Sequence, residues 1–327
     1  MSLTTQAAEP VGEAGAVPAG TAPQRTRRRR LGLPPMTAKL AAGLIIGGAI
    51  LLFGLLGPLV VADPAAVDDI GLTAPSAAHL LGTTQTGQDV LAQLAYATRG
   101  SLTIGAIVGL LTLLLSGFFG VVGAYAGGWV DEFFSLFTNI MLVIPGLPLV
   151  IVVSSYVPDK SLWLVALVLS ITGWAGAARV LRGYTLGLRN RDYVLASRVA
   201  GEKRWRILAV EILPNLIPLL ASQVVFAVIF AILGEAGLSY LGLGASGSFT
   251  WGTMLYYAQN GLALRLGAWW WFIPPGLMLA LFGAALSLIN FSIDEIINPK
   301  LRNQTRAARR GWRMSRGQLE TAKEATL

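Results

Sequence analysis

Six long stretches of apolar side chains, each near the length of a membrane-spanning helix, dominate the sequence. They cover residues 40–61, 101–125, 133–153, 161–180, 216–233 and 269–291. A helix needs about 20 mostly apolar residues to cross a bilayer, where it satisfies its own backbone hydrogen bonds. With 54% hydrophobic and 13% charged residues, the chain is too apolar for a soluble domain of 327 residues. The sequence therefore predicts an all-α, polytopic membrane protein with about six transmembrane helices.

The basic residues are distributed unevenly among the segments that join these stretches. The net charge is +8, yet only Arg99, Lys160 and Arg265 lie outside the segments that we assign to the cytosol. Because loops rich in Lys and Arg stay on the cytosolic side, both termini are predicted to be cytosolic. Membrane topology thus accounts for the positive charge, and nucleic-acid binding is not expected.

The ends of the chain differ in composition from its middle. The first 37 residues are rich in Ala, Gly, Pro and Thr and contain a basic run at 25–30. They predict a disordered cytosolic tail attracted to anionic membrane lipid. The next apolar run is too long for a signal-peptide core, so we expect an uncleaved first span. The predicted organisation is a tail at 1–37, a transmembrane domain at 38–301 with outer loops at 63–98 and 235–268, and a basic cytosolic tail at 302–327.

A strongly charged island, residues 189–218, separates two apolar stretches and cannot lie in hydrocarbon. Its pattern predicts a short helix capped by Asp192 and ended by Gly201 in a left-handed conformation. A second helix would run from Glu202 until Pro214 marks the entry to the next span. Small residues at the turn would let another protein approach the backbone closely, as when a short helix sits in a partner's groove.

The same island carries a family motif. It resembles the coupling-loop motif of ABC importer permeases at Ala196-Ser197, at Gly201 and at Leu213-Pro214. The chain departs from the motif at two positions: Leu195 replaces a Glu, and Glu211 replaces an Ile. The peptide branch of the family shares the first departure, and residues 193–198 match the pattern of that branch. The resemblance implies a coupling loop at 189–214 that contacts a cytosolic ATPase. Its implied ATPase-coupling residues are Tyr193, Ala196, Ser197, Gly201, Glu202, Trp205, Leu213 and Pro214.

Further segments resemble signatures of the peptide/nickel branch of these permeases. They lie at 81–91, 234–244, 251–255 and 269–276, while the segment at 290–300 keeps only the proline of its signature. In the family, the second and third segments form a gate and docking surface beneath a binding protein. The resemblance therefore implies outer gate or docking roles for Glu235, Tyr240, Trp251 and Met254. The resemblance as a whole implies the type I ABC importer permease fold across about residues 38–301.

Inside the spans, prolines, glycines and one amide stand out. Pro145 and Pro148 should break the third span near mid-membrane, and kinks at this depth often line a cavity. Asn139 is the most polar side chain of that span, so Asn139 and Pro145 are our candidates for the translocation path. Glycines in the second span should permit close helix packing, and Trp269 to Trp271 should form an interfacial aromatic belt. These glycines are Gly105, Gly109, Gly117, Gly120 and Gly123.

The residues needed for catalysis or metal binding are missing from the sequence. It contains no Cys and a single His, His79, which we interpret as an ordinary surface residue of a polar loop. No P-loop is present, nor a zinc-protease or serine-hydrolase motif. We therefore predict no catalytic, cofactor-binding or metal-binding residue and no enzymatic activity. ATP and Mg²⁺ would be bound by separate ATPase subunits.

The resemblance implies a permease subunit of an ATP-driven importer of di- or oligopeptides in the bacterial cytoplasmic membrane. Its implied partners are a second, homologous permease, two ATPase subunits or one fused ATPase, and an extracytoplasmic substrate-binding protein. An oligosaccharide importer of the same branch remains an alternative, because Thr84, Gln88 and Asn139 make the chain less charged than relatives at those positions. An ion-coupled secondary transporter would need internal repeats and membrane-embedded acids. A structural membrane scaffold would show no activity sensitive to changes at Gly201.

Overall fold

The computed structural model describes residues 37–67, 71–157, 161–245 and 247–297. Both predicted tails apart from Thr37, the residues 158–160 and the signature proline Pro299 lie outside this part of the chain. Thr37 belongs to the first helix, because its hydroxyl accepts a hydrogen bond from the backbone N–H of Leu40 and caps the helix.

The described residues are mainly helical. The helices are α1 (Ala38–Val60), α2 (Val90–Ser116), α3 (Gly123–Ala126), α4 (Gly128–Val143), α5 (Gly146–Tyr156), α6 (Leu162–Arg189), α7 (Asp192–Val199), α8 (Arg204–Arg206), α9 (Leu213–Tyr240), α10 (Trp251–Asn260) and α11 (Trp269–Ile297). A π-helical turn, Gly117–Val122, joins α2 to α3, and another, Ile207–Ile212, joins α8 to α9. Each π-helical turn therefore extends one long, continuous rod.

Five of these rods are long and apolar enough to cross a membrane, and α4 with α5 makes a sixth if the bent pair is one span. This agrees with the prediction of about six spans. The expected third span is not straight, since its two halves meet at 80°. Proline disfavours the helical conformation in the residue before it, and Ile144, which precedes Pro145, is extended. The predicted break at Pro145 is confirmed.

Several helices extend beyond the apolar stretches that predicted them. The second span, α2, begins at Val90, where the Asp89 carboxylate accepts a 2.8 Å hydrogen bond from the N–H of Ala92. The fourth span, α6, continues to Arg189, and the fifth span, α9, continues to Tyr240. Hydropathy marks only the part of a helix that lies in hydrocarbon, whereas backbone hydrogen bonding continues into polar surroundings.

Helix α2 lies at the centre of the bundle and packs against α1, α6 and α9. A Cβ on Gly120 would lie 2.5 Å from the carbonyl oxygen of Ala178, so α6 approaches the π-helical turn at backbone distance. Close packing is confirmed at Gly105, Gly109 and Gly123 as well. It is wrong for Gly117, where a Cβ would meet no atom within 4 Å.

The outer segments fold onto the ends of the spans. His79 is buried, contrary to expectation, and its Nδ1 lies 2.9 Å from the Asp89 carboxylate, which places it against the start of α2. The predicted aromatic belt is only partly formed. Trp269 is exposed, but the indole N–H of Trp270 donates to the carbonyl of Thr83, and Trp271 is buried.

Candidate functional site

Helix α7 is a short helix whose C-terminus is defined by Gly201. Gly201 has φ +78°, and the backbone N–H groups of Gly201 and Glu202 donate to the carbonyls of Arg198 and Ser197. This pair of backbone hydrogen bonds is a Schellman motif, which requires a residue in the left-handed conformation. The predicted left-handed helix ending at Gly201 is confirmed, but the predicted cap by Asp192 is wrong. Arg191 occupies the N-cap without a side-chain bond, and Asp192 is the first helical residue.

One side of α7 is anchored to the bundle. Val194 is fully buried and packs in a cluster with Val121, Leu181, Ile207 and Ile212. On the same side, the Arg198 guanidinium lies 5.8 Å from the centre of the Tyr125 ring, within cation–π range. These contacts connect α7 to the ends of the second, fourth and fifth spans. A displacement of α7 would therefore be transmitted directly to them.

The opposite side of α7 is open and apolar. Tyr193 and Leu195 are exposed, Val199 is 91% exposed, and Trp205, beyond the turn, is 66% exposed. Ala196 and Gly201 lie at this surface, and a Cβ on Gly201 would meet no atom within 4 Å. Ser197 is half-buried, and its hydroxyl donates to the carbonyl of Tyr193. A partner could approach this backbone closely, so the surface suits a helix seated in a groove.

The expected second cytosolic helix does not end at Pro214. The short helix α8 continues through the π-helical turn into α9. Leu213 and Pro214 lie in the first turn of α9. Proline lacks an N–H, but it is tolerated in a first helical turn, and the wider π-helical turn before it keeps the rod continuous. Glu202 forms an ion pair with Arg206 instead of starting a helix.

The predicted path residues lie on the bent pair. Pro145 is the N-cap of α5, so it lies at the corner where α4 and α5 meet. Asn139 is exposed on α4, and its side-chain oxygen accepts a 3.0 Å hydrogen bond from Arg179 of α6. Nearby, Asp131 of α4 accepts two hydrogen bonds from Arg182. Sequence reasoning missed the pairings of both Arg179 and Arg182. The only available signal was that these charges fall at the end of an apolar stretch.

The predicted outer gate or docking residues differ in their exposure. Glu235 is 1% exposed, and its carboxylate accepts hydrogen bonds from the hydroxyls of Ser239 at 2.5 Å and Thr250 at 2.7 Å. Trp251 and Met254 are also buried, so these three side chains pack between α10 and the spans, and their gate or docking role stays a prediction. The resemblance gave no sign that these side chains pack inward. Tyr240 is exposed and keeps its docking role as a prediction.

Trp251 shows how the outer segment is attached. Its backbone N–H donates to the Ser101 hydroxyl and its indole N–H to the Thr98 hydroxyl, both at 3.0 Å. Both partners lie on α2, so α10 is fixed to the central helix of the bundle. Within the described residues, no group of three His, Asp or Glu side chains could hold a metal ion.

Comparisons with known proteins agree on one family. The model of the family described as "Binding-protein-dependent transport system inner membrane component" matches residues 113–303. The dipeptide transport system permease protein DppC of Bacillus subtilis is 35% identical over 273 residues, covering 81% of this chain and 83% of the relative. The oligopeptide transport system permease protein OppC of the same organism is 35% identical, covering 70% and 74%. DppC of Haemophilus influenzae is 33% identical, covering 80% and 90%.

Among solved structures, a chain of the inward-facing MetNI methionine ABC transporter is similar at a TM-score of 0.48 and 17% identity. The match covers 63% of this chain and 95% of that chain.

Proposed function

The chain belongs to the family of binding-protein-dependent transport system inner membrane components, and on this basis we propose that it forms half of the translocation path for di- and oligopeptides in an ATP-driven importer. Its relatives named for dipeptide and oligopeptide transport support peptides over the oligosaccharide alternative. The importer would lie in the bacterial cytoplasmic membrane.

The other components of the importer are a second, homologous permease, two ATPase subunits or one fused ATPase, and an extracytoplasmic binding protein. ATP and Mg²⁺ bind to the ATPases, and this chain performs no catalysis. The substrate is first selected by the binding protein and then passes between the two permeases.

The observation that carries the proposal is the two-sided character of α7. Its inner side is anchored by Val194, and its outer side exposes Leu195, Val199 and, beyond the Gly201 turn, Trp205. A groove of the ATPase that holds this outer side moves α7 when ATP closes the ATPase pair. Since Val194 packs with residues of three spans, the motion tilts them and exchanges inward for outward access.

Replacing Ala196 and Gly201 together by bulky residues tests this coupling. The variant complex is expected to retain basal ATPase activity but to lose its stimulation by substrate and its transport. The control replaces Leu44, an exposed side chain of α1 remote in sequence from α7, by Phe. Full transport by the Ala196/Gly201 variant contradicts the coupling role.

A further inference from the structure

Two arginines one turn apart on α6 differ sharply in their partners. Arg182 forms an ion pair with Asp131 through two hydrogen bonds. Arg179 is exposed, and its guanidinium has a hydrogen bond only to the neutral side chain of Asn139 among the described residues. No described carboxylate lies within ion-pair distance of Arg179. Its positive charge is therefore uncompensated within this part of the chain.

Arg179 lies at the cytosolic end of the fourth apolar stretch, residues 161–180. At 1.5 Å per residue, it is about 15 Å from the end of α6 at Arg189 and about 26 Å from the start of α6 at Leu162. Asn139 is about 16 Å from the start of α4 at Gly128, so both helices give a similar depth. With a hydrocarbon core about 30 Å thick, the pair lies in the cytosolic half of the membrane.

A charged side chain near this boundary reaches water or a polar partner and does not stay in hydrocarbon, because the cost of removing it from water is high. It faces a water-filled path or another polar group. Arg179 and Asn139 line a cavity of about 120 Å³ that also contacts Ser135 and Thr138. A water molecule occupies about 30 Å³ in the liquid, so this space admits a small polar group such as a carboxylate.

We propose that Arg179, oriented by Asn139, binds the carboxylate group of peptides as they pass through the membrane. The planar guanidinium presents paired N–H donors that match the two oxygens of a carboxylate. Asn139 accepts from Arg179 through Oδ1, while its Nδ2 has no hydrogen-bond acceptor among the described residues and is free to donate to the same ligand. The inference rests on the proposed function and names the chemical group that the path recognises.

Paired peptides test this role. The complete importer is reconstituted in liposomes, and uptake is compared for one tetrapeptide with a free C-terminal carboxylate and for its C-terminal amide. Both are used at concentrations that saturate the binding protein, as measured by calorimetry on that protein alone. Because a hydrogen bond to a charged group contributes roughly 1.5–3 kcal/mol, we expect the acid to be transported about tenfold faster than the amide.

The Arg179→Gln variant is expected to lower uptake of the acid about tenfold while leaving uptake of the amide within about twofold. Asn139→Asp keeps the guanidinium but supplies an internal carboxylate, and it should likewise abolish the preference for the acid. Arg179→Lys should retain part of the preference. Arg99→Gln removes an exposed charge from α2 and should leave the preference unchanged.

Equal losses for acid and amide in Arg179→Gln overturn the inference. They would indicate that the guanidinium pairs with a lipid phosphate or with an acid of the second permease. An unchanged preference for the acid also overturns it. If the wild-type importer transports neither peptide form, both the inference and the proposed function fail.

Discussion

The guanidinium of Arg182 holds the carboxylate of Asp131 through two hydrogen bonds, from Nε to Oδ1 at 2.7 Å and from Nη2 to Oδ2 at 3.0 Å. This pair fastens α4, the first half of the bent span, to α6. Both side chains are partly shielded from solvent, so the bond is screened less than an ion pair at the protein surface.

Replacing Asp131 by Asn should lower the free energy of unfolding by about 1–3 kcal/mol, because a partly buried guanidinium loses its charged partner. Thermal unfolding of the purified complex in detergent measures the effect. Glu295→Gln breaks the exposed Lys39–Glu295 pair and should cost less than about 1 kcal/mol. Equal shifts for the two variants contradict a stabilising role of the Asp131 pair.

Replacing Gly201 by Ala should weaken the ending of α7, since the left-handed conformation costs an L-residue roughly 1–2 kcal/mol. Hydrogen exchange of the α7 amides is expected to accelerate about five- to thirtyfold. Gly183→Ala is the matched control, because both sites have open space around a Cβ but Gly183 lies within α6. Similar protection in the Gly201 variant and the wild type would show that the left-handed residue does not stabilise the turn.

Replacing Gly120 by Ala should destabilise the packing of the π-helical turn against α6. The new Cβ would lie 2.5 Å from the Ala178 carbonyl oxygen, and such overpacking typically costs about 1–3 kcal/mol. The unfolding temperature of Gly120→Ala is compared with that of Gly117→Ala, whose Cβ meets no atom within 4 Å. If Gly117→Ala is equally harmful, the close approach at Gly120 is not the cause.

Replacing Trp251 by Ala removes a fully buried side chain and its bond to Thr98, and should cost about 3–5 kcal/mol. Limited proteolysis of the outer segment should then occur faster than in the wild type. Trp163→Ala removes an exposed indole and should leave the cleavage rate unchanged. An unchanged rate in the Trp251 variant would show that this side chain does not secure α10.

Local features of the fold could be read from the sequence where one residue determines the backbone. Pro145 breaks the third span and Gly201 ends α7, since each effect depends on the chemistry of that residue and its neighbours in the chain. Helix ends were placed less well. Hydropathy gave no reason to continue the fourth span to Arg189, where polar surroundings still permit a helix.

Features that depend on distant contacts could not be read in this way. Glu235 was expected at the outer surface, but Thr250, fifteen residues later, donates to its buried carboxylate. Arg179 and Asn139 are forty residues apart, and only the packing of α4 on α6 brings them together. The resemblance predicts that α7 is the coupling element, whereas its anchored side became visible only when Val194 was found among residues of three spans.

Substrate-stimulated ATPase activity of the complete importer in nanodiscs tests the central claim most directly. The complex is purified through this chain and combined with its binding protein. Di- to hexapeptides, cello- and xylo-oligosaccharides and nickel chelates are then compared. We expect an ATPase to co-purify and peptides to stimulate it. Stimulation by oligosaccharides alone would contradict the peptide assignment, and the absence of any co-purifying ATPase would contradict the proposed coupling.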